Sequence, residues 1–145
     1  MDLLKSMRIS ASGLRANLKR TEAINSNIAN AQTTRTAEGG PYRRKLAVFG
    51  SEPARDDFSE MLEGEIDSQA QTVHVTEVIS SDKPPILKYD PSHPDANKAG
   101  YVAMPDINVM IEMADLLSAQ RAYEANMKSL KVTKGMALKA LEIGR

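Results

Sequence analysis

The chain has 145 residues, a length that fits one ordinary domain or one elongated module and leaves little room for two independent cores. Hydrophobic residues make up 41% and aromatic residues 4%, with no Trp, so burial has to come from aliphatic and Met side chains, with other chains as a further source. Nineteen basic and nineteen acidic residues cancel, which disfavours general binding to nucleic acid or to an anionic membrane.

Cysteine is absent, which excludes disulfides, thiolate metal sites and Cys nucleophiles. The first eight residues reach charge too soon for the apolar region of a cleaved secretory signal, so any export is expected to use another route. No stretch approaches the roughly 20 apolar residues that cross a bilayer. The sequence therefore predicts a soluble chain, or part of a soluble assembly, without membrane insertion.

Charge and proline divide the chain into three segments. Residues 1–45 carry nine basic and three acidic groups, 46–105 carry four and eleven, and 106–145 carry six and five. All seven prolines fall between residues 41 and 105, which leaves both ends free to be helical. We expect an N-terminal helix within residues 1–31, a loop-rich middle at 32–105 and a C-terminal helix within 106–145.

The N-terminal segment carries an apolar stripe at helical spacing, in alternating steps of three and four residues. This pattern predicts an amphipathic helix that is capped by Asp2, ends near Asn30 and is about 40 Å long. The stripe consists of Leu4, Met7, Ala11, Leu14 and Leu18, with Ile24 and Ile28 on a neighbouring line.

The C-terminal segment carries a heptad pattern sustained for more than four heptads. Asp106 or Asn108 is expected to cap this helix and Gly144 to end it, over about 54 Å. The pattern consists of Val109, Met113, Leu116, Gln120, Tyr123, Met127, Leu130, Lys134, Ala137 and Leu141. The predicted fold is mainly α, with long terminal helices that form a coiled-coil pair.

The middle segment shows short extended signals. Residues 42–49 follow a Gly-Gly-Pro turn, and residues 72–79 alternate as a half-buried strand does, so we expect two or three strands. Residues 51–68 fit either a short helix or a mobile loop. Residues 83–105 carry five prolines, too many for a ladder or a helix, and predict an ordered loop or an extended arm.

Candidate chemistry is sparse. A metal site formed by Asp90, His93, Asp95 and Asn97 competes with a rigid turn whose side chains bond local backbone, and the turn is favoured because the prolines prescribe a course unlike a calcium loop. No hydrolase, zinc or nucleotide motif is present. The sequence thus predicts no active site, cofactor or small-molecule substrate; an enzyme would need an unrecognised site around His93.

Two surface features favour protein partners. The basic run of residues 42–45 would contact either a phosphate backbone or, by preference, an acidic surface of a neighbouring subunit. Apolar residues off the main stripes are expected to stay exposed and to mark an interaction site. These residues are Ile9, Ala16, Ile24, Met110, Ala114 and Leu117.

Several motifs resemble those of the flagellar axial proteins, the family of rod, hook and hook-associated proteins. Residues 9–14, 26–31 and 118–126 resemble the signatures of the terminal helices, whereas residues 34–45, 89–96, 100–102 and 105–113 are similar to proximal-rod members. The motif residues are Ser26, Asn27, Ala29, Asn30, Gly39, Gly40, Pro41, Tyr42, Asp90, Pro91, His93 and Pro94.

The resemblance implies a structural subunit of the basal-body rod, exported by the flagellar type III apparatus without signal cleavage. It implies further copies of the chain and the rod proteins FlgB, FlgF, FlgG and FliE as partners, with the terminal helices stacked as a coiled-coil layer. The two stripes would then form the subunit interface. The alternative from another class is an intracellular coiled-coil adapter that forms a closed helical-hairpin dimer.

Overall fold

The computed structural model describes residues 3–53 and 71–143. Along the chain, four strands lie between two helices. The elements are α1 (Leu3–Ala29), β1 (Lys45–Pro53), β2 (Gln71–Ser80), β3 (Ile86–Tyr89), β4 (Tyr101–Met104) and α2 (Val109–Ile143). Both long helices predicted from apolar periodicity are present. The expected caps at Asp2 and Gly144 lie outside the described residues. The expected short helix or mobile loop over residues 51–68 was wrong for residues 51–53, which end strand β1, and the rest of that range lies outside the described residues.

Residues 83–105 are more regular than the sequence predicted. Strands β3 and β4 pair antiparallel, with Ile86 opposite Met104 and Tyr89 opposite Tyr101. Proline is compatible with this pair because Pro84 and Pro85 precede β3 and Pro105 follows β4, so no proline has to donate within the ladder. The expectation of an unpaired loop or arm was therefore wrong for these eight residues. Strands β1 and β2 form a second two-stranded sheet.

Asparagine side chains define two helix ends. At the start of α2, the Asn108 Oδ1 accepts the backbone N–H of Met110 at 3.0 Å and lies 3.4 Å from that of Ile111, which makes Asn108 the N-cap. Asp106, the other predicted cap, instead pairs with Lys83 at 3.7 Å. After α1, the Asn30 Nδ2 donates to the Ser26 carbonyl at 2.9 Å, and the Asn30 backbone N–H donates to the same oxygen at 3.1 Å.

The chain folds as two compact units. Among the described residues, unit 1 contains 3–19, 49–53, 71–76 and 119–143, and unit 2 contains 20–48 and 77–118.

Unit 1 is packed through small side chains. Ala16 is 3% exposed and Ala119 is fully buried. A Cβ added to Gly13 would lie 3.0 Å from the Asn126 amide nitrogen, so α1 and α2 approach closely at this point. Ser12 is buried as well, and its hydroxyl accepts the Val73 backbone N–H at 3.1 Å, which fastens β2 to α1. Small residues thus occupy the packed face of α1 in this unit.

Unit 2 is held by a buried polar cluster centred on Asn27, which is 1% exposed. Its Nδ2 donates to the Lys45 carbonyl at 2.9 Å and to the Glu112 Oε2 at 3.0 Å. Its Oδ1 accepts the Lys45 N–H at 2.7 Å and the Tyr42 hydroxyl at 3.1 Å. All four hydrogen-bonding positions of the carboxamide are therefore used, and they join α1, the start of β1 and α2.

The negative charge of the buried carboxylate in this cluster is balanced by arginine side chains. Glu112 is 1% exposed, and its Oε1 accepts the Arg44 Nε–H at 2.6 Å. Arg44 also lies 3.7 Å from an oxygen of Asp115, whose other oxygen is 3.5 Å from Arg20. A buried carboxylate is tolerated when its charge is paired and its lone pairs are bonded, and both conditions hold here.

The turn between β3 and β4 is stabilised by local hydrogen bonds. Asp90 donates its backbone N–H to the Gly100 carbonyl at 2.9 Å, and its Oδ1 accepts the Ser92 hydroxyl at 2.7 Å. The His93 Nδ1 accepts the Asp95 N–H at 3.1 Å. Gly100 has φ of +81°, and a Cβ there would lie 2.9 Å from the Tyr89 ring, so both backbone conformation and space require glycine. These are the bonds expected of a rigid turn.

Replacing Glu112 with alanine is expected to destabilise the fold strongly. The change removes the charge partner of Arg44 and one acceptor of Asn27, and because Arg44 is 30% exposed the expected loss is near the lower end for broken buried ion pairs, about 3 kcal/mol. Urea denaturation followed by circular dichroism measures the free energy of unfolding. Glu124→Ala, an exposed position on the same helix, is the control and should stay within about 0.5 kcal/mol of the parent chain. Equal effects at both positions would contradict the role of the cluster.

Asp90 is expected to titrate below the usual carboxyl range. The Ser92 hydroxyl, helped by the Ser92 backbone N–H and the charges of His93 and Lys88, lowers the pKa of Asp90. Because the folded pKa is the lower one, the carboxylate stabilises the fold above the unfolded-state pKa, and this contribution disappears as pH falls through the folded value. Carbon-13 NMR titration should show an upward move of the Asp90 pKa in Ser92→Ala and little change in Ser92→Thr. An unmoved pKa in Ser92→Ala would show that the hydroxyl is not the cause.

Candidate assembly surfaces

Most large apolar side chains of the described residues remain exposed. Five hydrophobic residues are buried, and three of them are alanine, whereas twenty large hydrophobic residues are exposed by more than a third. Scattered exposed leucines are ordinary. Contiguous rows of exposed apolar residues are typical of interaction sites. Their arrangement on the surface therefore decides whether they indicate such a site.

On α1 the predicted stripe lies beside the packed face. The buried residues of this helix are Ser12, Ala16, Ala23, Ile24 and Asn27. Of the predicted stripe, Leu4 is 64% and Leu18 is 48% exposed. The other members are half-buried, except Ile24, which is buried; they are Met7, Ala11, Leu14 and Ile28. The expectation that Ala16 and Ile24 stay exposed was wrong, because both lie on the face that packs inside the chain.

In the first turns of α2, the side that faces the protein interior carries charged residues, and the side that faces solvent carries apolar residues. Glu112 and Ala119 are buried. On the other side, at spacings of three, one and three, lies an exposed stripe of Met110 (75%), Met113 (50%), Ala114 and Leu117 (56%). This part of the helix therefore presents to solvent the side that an ordinary amphipathic helix buries.

The remaining heptad residues of α2 divide between exposed and half-buried. Val109 is 38% and Leu141 is 71% exposed. The half-buried members are Leu116, Tyr123, Met127, Leu130 and Ala137.

The β3–β4 hairpin carries an apolar face that sequence reasoning missed. The register places Tyr89 opposite Tyr101 and Leu87 opposite Ala103 on the same face. Leu87 is 62%, Tyr89 64% and Tyr101 42% exposed. The two tyrosine rings meet edge to face, with centroids 5.3 Å apart. The sequence did carry a signal for β3, the apolar pair that follows Pro85. We predicted a loop there because residues 83–105 contain five prolines.

The motif residues fall into three places. Ser26 and Asn27 are brought to Tyr42, and the Ser26 and Tyr42 hydroxyls lie 2.9 Å apart. Gly39 and Gly40 adopt positive φ, 89° and 75°, in the turn closed by the Thr36 N–H to Gly40 carbonyl bond. The motif that contains Asp90, Pro91, His93 and Pro94 forms the turn after β3, where Thr34 donates to the neighbouring Asp95 at 2.7 Å. Pro41 and Asn30 are half-buried and Ala29 is exposed.

The basic run 42–45 is partly neutralised within unit 2. Arg44 is committed to Glu112, and Arg43 lies 3.9 Å from Asp82. The Lys45 ammonium lies 5.9 Å from the Tyr42 ring centroid. The Arg44 guanidinium, a group suited to binding phosphate, is therefore already engaged by a carboxylate.

Within residues 3–53 and 71–143, no three His, Asp or Glu side chains are grouped so as to hold a metal ion. In the same part of the chain, neither helix combines the length and the apolar character needed to span a membrane.

Comparison with known proteins identifies the family. Residues 98–143 match the family described as Flagellar basal body rod FlgEFG protein C-terminal. Over the whole of both chains, the sequence is 40% identical to the flagellar basal-body rod protein FlgC of Bacillus subtilis and 38% identical to that of Salmonella typhimurium. It is 38% identical to the FlgC of Borreliella burgdorferi, with 99% of this chain and 98% of the relative covered. Full-length similarity at this level shows that the chain belongs to the FlgC family of flagellar basal-body rod proteins.

Proposed function

We propose that this structural rod subunit polymerises through its terminal helices into the tubular shaft that carries motor torque to the hook and filament. The observation that supports this is the distribution of residue size on the helices: the buried residues are mostly Ala, Ser and Asn, whereas Leu4, Met110 and Leu141 are exposed. An outward stripe of this kind is stabilised when another helix covers it. As in the rest of its family, the place of the chain is the flagellar basal body.

The proposed contact is a coiled-coil layer of terminal helices. The α1 stripe and the α2 heptad residues would provide the knobs that enter holes on neighbouring helices. At roughly 25 cal/mol per Å² of apolar area, covering several hundred Å² would stabilise the layer by several kcal/mol in gross terms. Residues 1–31 and 106–145 would form this layer, and residues 32–105 would project from it.

Open-ended assembly needs contacts between unlike patches. Heterologous, head-to-tail contacts that do not close into a ring build a helical tube, and torque then passes through many packed side chains. The proposed partners are further copies of the chain and the rod proteins FlgB, FlgF, FlgG and FliE, after export by the flagellar type III apparatus. A closed dimer would instead require a self-complementary patch.

The proposed role is mechanical and not catalytic. Membership of a structural rod family supports this view. The local bonds of Asp90 and His93 also supply a structural reason for that motif, so it needs no separate chemistry.

Met113→Asp is expected to block rod assembly without unfolding the chain. Met113 is 50% exposed, so a carboxylate is solvated in the monomer, whereas in the layer it would be buried without a partner at a cost of several kcal/mol. Swimming in soft agar and recovery of the chain in purified basal bodies measure the effect. Ser118→Asp, an exposed position on the same helix, is the matched control. Normal swimming by the Met113 variant would remove this stripe from the interface.

The free chain is expected to show weak protection of its terminal helices. Tertiary burial supplies most helical stability in proteins, and the outward stripes are uncovered in the single chain. Hydrogen exchange should therefore be fast at both ends of the monomer and slow in the assembled rod. Strong protection at both ends, together with a monomeric sedimentation coefficient, would refute the proposal.

A further inference from the structure

Methionine is the readily oxidised side chain of this sequence. The chain has eight Met and neither Cys nor Trp, and peroxides oxidise proteins chiefly at Cys and Met sulfur. Among the described residues, Met110 is 75%, Met113 is 50% and Met136 is 60% exposed. The half-buried ones are Met7, Met104 and Met127. The three exposed thioethers are therefore open to a small oxidant in the single chain.

Met110 and Met113 are neighbours on one face of α2. A spacing of three residues places them one turn apart, within the exposed stripe that also contains Ala114 and Leu117. Met110 is the most exposed large hydrophobic residue in the part of the chain that the structure describes. We call Met110 and Met113 the methionine pair. The pair lies in the surface that the proposed assembly would cover.

The orientation of the pair is fixed by the buried side of the same turn. Glu112 is 1% exposed and accepts hydrogen bonds from Asn27 and Arg44. The Asn108 side chain accepts the Met110 N–H at 3.0 Å, which defines the start of the helix. Rotation of α2 about its axis would break these bonds and leave the Glu112 carboxylate buried without partners. A polar group on the pair therefore has to stay on the outer surface.

We propose that the methionine pair is an oxidation site that keeps a peroxide-oxidised subunit out of the rod. With hydrogen peroxide, the thioether sulfur attacks one oxygen, and the S–O bond forms as the O–O bond breaks. The other oxygen leaves as water and takes the proton of the first. Sulfur loses the two electrons that the peroxide gains, so methionine becomes its sulfoxide. The polar sulfoxide then replaces an apolar side chain, a change that disrupts Met-rich interfaces.

Oxidation of the pair would act on assembly and not on the fold. Because the two side chains are 75% and 50% exposed, the new oxygens are hydrated in the single chain. In the proposed layer they would be buried without a donor, which is unfavourable. Methionine sulfoxide reductases reverse the change, so a repaired subunit would assemble. The inference rests on the proposed assembly and adds how that assembly responds to an oxidant.

Hydrogen peroxide tests the site on the full chain, in cells that lack methionine sulfoxide reductases. Peroxide present during induction should lower incorporation of the parent chain into basal bodies about tenfold relative to an untreated culture. Peptide mass spectrometry should find sulfoxide at both positions in the unassembled pool. Met110→Leu/Met113→Leu removes both thioethers at similar volume, and treatment should not change its incorporation relative to its own untreated culture.

Met136→Leu is the matched control. It removes another exposed thioether on the same helix and should keep the sensitivity of the parent chain to peroxide. Equal losses on treatment in the parent chain and in Met110→Leu/Met113→Leu would overturn the proposal. Undiminished incorporation of subunits that carry sulfoxide at both positions would also overturn it, as would an unassembled pool without sulfoxide there.

Met110→Gln/Met113→Gln tests the change in polarity without an oxidant. Glutamine places a polar acceptor oxygen at about the position of the sulfoxide oxygen and remains a good helix former. This variant should stop swimming in untreated cells while the circular dichroism of the purified chain stays unchanged. If the double variant loses helical circular dichroism, Met110→Gln alone replaces it. Normal swimming by the folded glutamine variant contradicts the proposal.

The test also distinguishes this site from the general assembly proposal. If Met113→Asp blocks assembly and oxidation of the pair does not, the helix layer stands and the oxidation site fails. If Met113→Asp and Met110→Gln/Met113→Gln both assemble normally, the proposed assembly through this stripe fails as well.

Discussion

The hydrogen bonds of Asn27 are the constraint on which unit 2 depends. One carboxamide bonds both backbone groups of Lys45, the Tyr42 hydroxyl and the Glu112 carboxylate. Moving α1 or α2 by one residue along its axis would separate these partners and leave polar groups buried without bonds. A polar residue of this kind specifies alignment more than it adds stability, as a single buried Asn does in coiled coils.

A second constraint follows from residue size. The buried residues of the described core are mostly Ala, Ser and Asn, and burial of so little apolar area stabilises a chain weakly. Large residues such as Leu4, Met110 and Leu141 lie outside this core. In the proposed assembly, contacts with other subunits would supply part of the hydrophobic stabilisation that the single chain lacks.

Periodicity predicted the helices because a 3.6-residue repeat is visible in sequence whether its partner is inside or outside the chain. It did not show which face packs internally: Ala16 and Ile24 were expected outside and are buried, because both lie on the face of α1 that packs inside the chain. The cluster of Asn27, Arg44 and Glu112 follows no repeat, so only a resemblance between motifs pointed to Asn27. Prolines hid β3 and β4 because their positions relative to the strands, and not their number, decide whether a ladder forms.

The polar cluster fixes the alignment of α1 and α2 in unit 2, and large apolar residues of both helices stay exposed. If the large residues alone directed the packing, α1 and α2 would have several alignments of similar energy, because apolar contacts are not directional. The polar cluster removes that ambiguity inside the chain without covering the outward stripes. In the proposed assembly, each subunit would present its apolar rows at identical positions, as a regular shaft requires. Under the proposed assembly, the buried carboxylate at Glu112 would serve assembly indirectly, because it fixes the alignment of α1 and α2 within unit 2.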